Sequence, residues 1–157
     1  MGIEIERKFL VTKDHWHDLG IPLHYMQGYI VADGLRTVRV RIAGEDGYLT
    51  IKGKTEGISR LEFEYPIPVE EAFELLKLCT TPVIEKYRTK VIFGNKTWEV
   101  DEFEGDNKGL VIAEIELKSE DELFELPSWI GEEVTGDLKY YNSRLATYPF
   151  RTWYSLI

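Results

Sequence analysis

Apolar and polar residues alternate with a period of two along most of this chain. Such alternation puts successive side chains on opposite faces of an extended strand. Strand-like runs cover residues 3–11, 25–32, 37–43, 48–54, 59–67, 83–93, 97–104 and 110–118. Asp33-Gly34, Asp46-Gly47, Glu56-Gly57 and Gly94-Asn95 stand between runs, and each pair suits a tight hairpin connection. Successive hairpins predict a mainly antiparallel meander. The period turns helical in three places. Residues 13–19 read as a short helix. Residues 69–79 place Val69, Ala72, Phe73, Leu76 and Cys79 on one side, behind Pro68. Residues 137–146 align Leu138, Tyr141, Asn142 and Leu145, with Asp137 placed to cap and Pro149 just beyond. Trp129 and Ile130 fall in a stretch that the pattern leaves unassigned. The expectation is an α+β fold, mainly antiparallel β with flanking helices, in one domain over residues 1–157.

The polar faces carry an unusual pattern. Glu4-Ile5-Glu6, Arg39-Val40-Arg41, Glu62-Phe63-Glu64, Lys86-Tyr87-Arg88 and Glu114-Ile115-Glu116 each set two like charges around an apolar residue. Amphipathic strands of this number can curl into a barrel in two ways. One has an apolar interior and charges in water, the usual reason for alternation. The other has charges inside and helices over the apolar outer faces. Like charges two residues apart on a strand, roughly 7 Å, repel by about 0.6 kcal/mol in water and about 2.4 kcal/mol at an effective dielectric near 20. Open faces therefore tolerate the pairs, but solvated faces usually mix their signs. Arg39, Arg41 and Arg88 also have the forked donors that suit phosphate. Alternation alone leaves both closures open.

Composition narrows the classes. A formal charge of −9 argues against general nucleic-acid binding, which favours a basic surface. Cys79 is the only cysteine, so no disulfide or thiolate cluster forms within the chain, and it reads as a small core residue. No apolar stretch approaches the length of a membrane span or a signal region, which leads to the expectation of a cytoplasmic protein with no membrane partner. His15, His17 and His24 lack the spacing of a zinc site and read as surface or packing residues. Neither a nucleophile elbow nor a Gly-rich phosphate loop occurs.

Glu4-Ile5-Glu6-Arg7-Lys8-Phe9 resembles the N-terminal Glu-x-Glu-x-Lys signature of the CYTH superfamily, the triphosphate tunnel metalloenzymes. Gln27-Gly28-Tyr29, Arg39-x-Arg41, Thr50-Ile51-Lys52, Glu62-x-Glu64, Glu85-Lys86-x-Arg88, Glu114-x-Glu116 and Tyr140-Tyr141-Asn142-Ser143-x-Leu145-Ala146 follow in the family's order. The resemblance spans nearly the whole chain and is greatest to short, single-domain prokaryotic members. It implies an eight-stranded, closed or nearly closed antiparallel β-barrel, with an ion-lined bore running through the molecule. It also implies hydrolysis of inorganic triphosphate, with Mg²⁺ or Mn²⁺ as cofactor and a small polyphosphate as the substrate partner. The same family includes class IV adenylyl cyclases, thiamine triphosphatases and RNA triphosphatases. A non-catalytic polyphosphate- or nucleotide-binding module is a further alternative. A homodimer is plausible by the same analogy.

The roles follow from the resemblance. Arg39, Arg41, Lys52, Lys86 and Arg88, with Lys8, would bind the phosphates. Lys54 and Lys90 read as solvated strand residues. Glu4, Glu6, Glu62, Glu64, Asp101, Glu114 and Glu116 are the candidate metal ligands, some of which would instead orient arginines; Glu99 shares a face with Asp101 but lies outside the family pattern. Lys8 and Tyr29 are the candidate catalytic residues. Lys8 would serve as general base if its pKa fell, and as a phosphate or water positioner otherwise.

Overall fold

The computed structural model describes residues 2–13 and 15–153, without the side chain of His15. All eight expected strands form: β1 (Gly2–Val11), β2 (Pro22–Ala32), β3 (Arg36–Ala43), β4 (Asp46–Gly53), β5 (Ser59–Ile67), β6 (Ile84–Phe93), β7 (Lys96–Phe103) and β8 (Val111–Glu116). A ninth, β9 (Ile130–Glu133), arises in the stretch that alternation left unassigned. At four residues it is too short to show a period. It adds to β1 where β5 stops pairing, with Phe9 opposite Glu133 and Val11 opposite Ile130.

The sheet order is β5-β4-β3-β2-β6-β7-β8-β1-β9, and a further β1–β5 pairing closes the first eight strands into a ring. All the pairings are antiparallel. The expected meander is therefore two meanders, β2 to β5 and β6 to β8. Helix α1 (Val69–Leu76) carries the chain from β5 to β6, and β1 seals the seam. The β6–β7 turn sits at Gly94-Asn95 as expected, with φ of 56° and 66° at the two residues. A two-residue turn with both φ values positive matches strand twist, and Gly and Asn adopt it at least cost. The β3–β4 turn lies earlier than expected, at Gly44 (φ 61°) and Glu45, so Asp46-Gly47 begins β4. A Cβ on Gly47 would meet the Ala72 side chain at 2.9 Å, so the glycine lets α1 approach the sheet.

The apolar faces turn outward. Phe9, Val91, Trp98, Val100, Ala113 and Ile115 are buried outside the ring beneath Trp16, Leu117 and Trp129. Trp16 comes from a 3-10 helix at His15–Leu19. On the opposite wall Val40 and Ile42 pack against Ala72, with Val69, Leu75 and Leu76 alongside. Phe73, expected on the packed side of α1, is 48% exposed, because the contact centres on Ala72 and the helix ends at Leu76. Cys79, expected in the core, lies past that end and is half-buried against Gly28. No described helix is long and apolar enough to cross a membrane.

One end of the bore is apolar. Leu10, Ile84, Phe103 and Ile112 share strand parity with Lys8, Lys86, Asp101 and Glu114, and they form a layer across the barrel. The C-terminal segment seals this layer with Tyr140, Leu145 and Ala146. The expected helix at 137–146 is broken into a 3-10 turn (Leu138–Tyr140) and α2 (Asn142–Leu145). Asp137 caps the turn by accepting from the Lys139 amide. The bore is thus plugged rather than ion-lined from end to end, because the C-terminal chain needs apolar surface to dock against.

Candidate active site

Strand register alone brings the charged side chains together. Across the β1–β8 seam, Glu6 faces Glu116 and Lys8 faces Glu114. Across β1–β5, Glu4 faces Arg60. Lys52 faces Glu62, Thr50 faces Glu64, and Arg39 faces Thr50. Apart from Thr50, these residues line a cavity of about 180 Å³ inside the ring, together with Tyr29, Arg41, Lys86 and Arg88. All the expected phosphate and metal residues border this cavity except Asp101.

Asp101 sits behind the wall, with no exposed surface. Its Oδ1 accepts from Arg88 Nε at 2.7 Å, and its Oδ2 accepts from Arg88 Nη2 at 2.9 Å and Lys86 Nζ at 2.7 Å. Two cations thus occupy both of its oxygens. Lys86 also donates to Asn142 Oδ1 at 3.0 Å, so α2 holds the lysine from the plug side. Gln27, fully buried, donates to Tyr29 Oη at 3.0 Å and accepts from Arg41 Nε at 3.0 Å. Tyr25 presents its ring to both Arg41 and Arg88, each 5.0 Å from the centroid.

The cavity is electrically divided. On the β3–β6 side, burial together with Arg39 and Arg88 pulls Arg41 down to about 10. Burial also brings Lys86 down to about 7, with Arg88 and Arg41 adding to the fall and Asp101 pulling the other way. Arg39 keeps its Nε buried without a hydrogen-bond partner. Arg39 is paired with Glu64, and Arg88 and Lys86 with Asp101, but Arg41 has no carboxylate partner among the described residues. On the β1–β5–β8 side the imbalance reverses. Burial, with Glu114 and Glu4 alongside, pushes Glu6 well above the usual carboxylate range. Burial and neighbouring glutamates likewise raise Glu62 and Glu116. Two carboxylates hold their charge against burial. Glu4 is brought down to about 2 by Lys52 and Arg60, and Glu114 falls well below its usual value beside Lys8 and Arg88. Lys8 lies 3.8 Å from Glu114 and 3.9 Å from Glu6, and these acids raise its pKa although burial opposes the charge. Its Nζ also sits 4.7 Å above the Tyr141 ring.

A hard divalent cation fits the acidic half. Its donors are carboxylate oxygens, and the raised Glu6, Glu62 and Glu116 mark negative charge in excess of the local cations. Among the described residues, no three His, Cys, Asp or Glu side chains form a ready-made cage. Mg²⁺ in particular takes one or two carboxylates and completes its shell with water and phosphate oxygens.

Sequence reading missed Arg60, Tyr25, Asn142 and Ser143 as parts of this site. Arg60 carries the parity of Glu62 and Glu64 but the opposite sign, so a search for like-charge pairs passes over it. Asn142 and Ser143 stood within a recognised motif, but their reach into the barrel depends on the plug. Glu99, noted for its shared face with Asp101, borders the cavity and pairs with Arg88 at 3.3 Å. His24 pairs with Glu85 at 2.6 Å and His17 stacks on Trp16, both away from the cavity. The expectation for His15 concerns a side chain outside those described.

A closed antiparallel barrel with a charged, divided interior is the architecture of the triphosphate tunnel proteins. Residues 2–146 match the family model described as the CYTH domain. The chain belongs to the CYTH family, which implies a divalent metal. It is 55% identical over 154 residues to an inorganic triphosphatase of Acetivibrio thermocellus, covering 98% of this chain and 99% of that protein. It is 39% identical over 151 residues to an inorganic triphosphatase of Nitrosomonas europaea, covering 91% and 96% of the two chains. The fold is also similar to a solved inorganic triphosphatase structure, with a TM-score of 0.65 and 32% identity over 90% of this chain and 96% of that one.

Proposed function

We propose that this protein is a divalent-metal-dependent inorganic triphosphatase, which splits tripolyphosphate into pyrophosphate and orthophosphate. The observation that carries the reading is the divided cavity: under-compensated cations on one wall face under-compensated carboxylates on the other. A polyanion satisfies the first wall, and a cation shared with that anion satisfies the second. The near full-length likeness to two proteins named inorganic triphosphatase supports the choice of substrate.

Arg39, Arg41, Lys52, Lys86 and Arg88 bind the phosphate chain and hold the terminal phosphorus in line with an attacking water. Phosphoryl transfer needs little covalent chemistry from the protein, so fixing geometry and neutralising charge supply most of the acceleration. Glu4, Glu6, Glu62 and Glu116 would hold the metal, with Glu64 and Glu114 tied to Arg39 and Arg88. Bound there, Mg²⁺ or Mn²⁺ supplies Lewis acidity to the phosphoryl oxygens and lowers the pKa of water. Asp101 fixes Lys86 and Arg88 rather than touching substrate. Lys8, held cationic by Glu114 and Glu6, positions the terminal phosphate or the water. Tyr29 fixes the Gln27–Arg41 bridge from the cavity wall.

The test is phosphate release from tripolyphosphate, pyrophosphate, ATP and thiamine triphosphate, each with and without Mg²⁺ or Mn²⁺. The reading requires metal-dependent release from tripolyphosphate in preference to the others. Preferential turnover of ATP with formation of cyclic AMP would replace it with a cyclase, and preference for thiamine triphosphate would replace it with an organic triphosphatase.

A further inference from the structure

We propose that the groove on the plugged end of the barrel is a second oxyanion site, outside the catalytic cavity, for orthophosphate and pyrophosphate. The groove has a volume of about 570 Å³ and lies between the β2–β3 turn, the end of β4 and the C-terminal plug. Arg36, Lys54, Arg60 and Arg144 line it, against a single carboxylate, Asp33. This is the reverse of the chain as a whole, whose formal charge is −9.

Two of these cations are neutralised in part: Arg36 pairs with Asp33 at 3.2 Å, and Arg60 pairs with Glu4 at 3.2 Å. Lys54 and Arg144 have no acidic partner among the described residues. Thr81 also lines the groove. Arginine, lysine and hydroxyl donors around one volume match the chemistry of a tetrahedral oxyanion.

The groove adjoins the catalytic cavity. Thr37, Arg60, Tyr141 and Ser143 border both. The site stands on this geometry alone. Its role as a holding place for reaction products rests on the triphosphatase reading.

The experiment titrates orthophosphate and pyrophosphate, in separate arms, into metal-free protein by calorimetry, with sulfate as a third arm. Wild type should bind pyrophosphate at two classes of site. Lys54→Ala/Arg144→Ala should weaken one class by about tenfold or more, the loss expected when charge-assisted hydrogen bonds are removed. That variant should keep wild-type kcat/KM on tripolyphosphate, which also shows that it folds. Arg39→Ala/Arg41→Ala should weaken the other class instead. A single class in wild type, or two classes unchanged in Lys54→Ala/Arg144→Ala, would overturn the proposal. Sulfate binding as tightly as both phosphates would overturn selectivity for products. Two classes in a protein that fails to hydrolyse tripolyphosphate would sink the enzymatic reading and leave the second site standing.

Discussion

Lys86 Nζ lies 2.7 Å from Asp101 Oδ2, and both side chains are buried, yet the lysine still borders the catalytic cavity. Asp101 answers two cations, Lys86 and Arg88, so burial and the neighbouring arginines bring Lys86 down to about 7. A polyanion entering the cavity reverses that balance and raises the pKa. A lysine brought down to about 7 is short of protons at pH 8 and gains them as the polyanion binds. Binding of tripolyphosphate to metal-free protein should therefore take up as much as about one proton per site at pH 8. Calorimetry in buffers of different ionisation enthalpy reads the uptake. Lys86→Met should remove it, and proton release in wild type would contradict the sign.

Asp101→Asn leaves Lys86 buried without its counter-charge and Arg88 with only its longer pairs, Glu99 and Glu114, each at 3.3 Å. Breaking a buried ion pair from one side costs about 3–5 kcal/mol. Urea unfolding should show a loss of that size, far beyond the effect of an exposed-pair variant such as Lys77→Ala, whose salt bridge with Glu74 lies at the surface.

Glu6 represents the opposite trade. Its folded pKa is raised by burial and by Glu114 and Glu4. A raised carboxyl adds stability below its unfolded pKa and loses it as pH climbs through the folded value. At pH 8, above its unfolded value, the raised carboxyl is therefore a net cost in metal-free protein. Glu6→Gln should raise the metal-free Tm at pH 8, by about 2–4 °C for each kcal/mol relieved, while weakening activation by metal. The gain should vanish near pH 4. A lower Tm at pH 8 would mean that Glu6 stabilises the fold.

Arg39→Ala, Arg41→Ala and Lys52→Ala should each lower kcat/KM for tripolyphosphate by roughly 10–150-fold, the worth of a charge-assisted hydrogen bond. Circular dichroism should show the folded barrel in all three. Wild-type kinetics in all three would reject the phosphate assignments. Lys8→Met separates two roles. A fall in kcat larger than the rise in KM indicates contact made in the transition state, and a pure KM effect indicates ground-state binding alone. The reading favours the first.

The strands and their two faces are legible in the sequence, because alternation writes both faces into consecutive residues, but which face turns inward is legible only through the family resemblance. Glu4, Glu6, Lys8, Arg39, Arg41 and Glu62 stand out by parity, Lys52 only through the family motif, and register brings them together. The strand order was less legible. No local feature around Ile67 or Ile84 says that β6 will pair with β2 rather than β5. Parity also does not report depth along the bore. Leu10, Ile84 and Ile112 lie on the charged face by count, but the plug makes their layer dry. Asn142 escaped for the same reason, since its partner Lys86 is distant in sequence and the contact exists only once the C-terminal segment docks.

The central claim is that anion and cation take opposite walls of one cavity. A crystal structure of the protein with tripolyphosphate and Mn²⁺ tests it most directly, since anomalous scattering locates the metal independently of the phosphates. The account predicts phosphate oxygens against Arg39, Arg41 and Lys86, and a Mn²⁺ peak between the polyphosphate and Glu4, Glu6 or Glu116. A peak remote from those carboxylates, or tripolyphosphate bound only outside the ring, would contradict it.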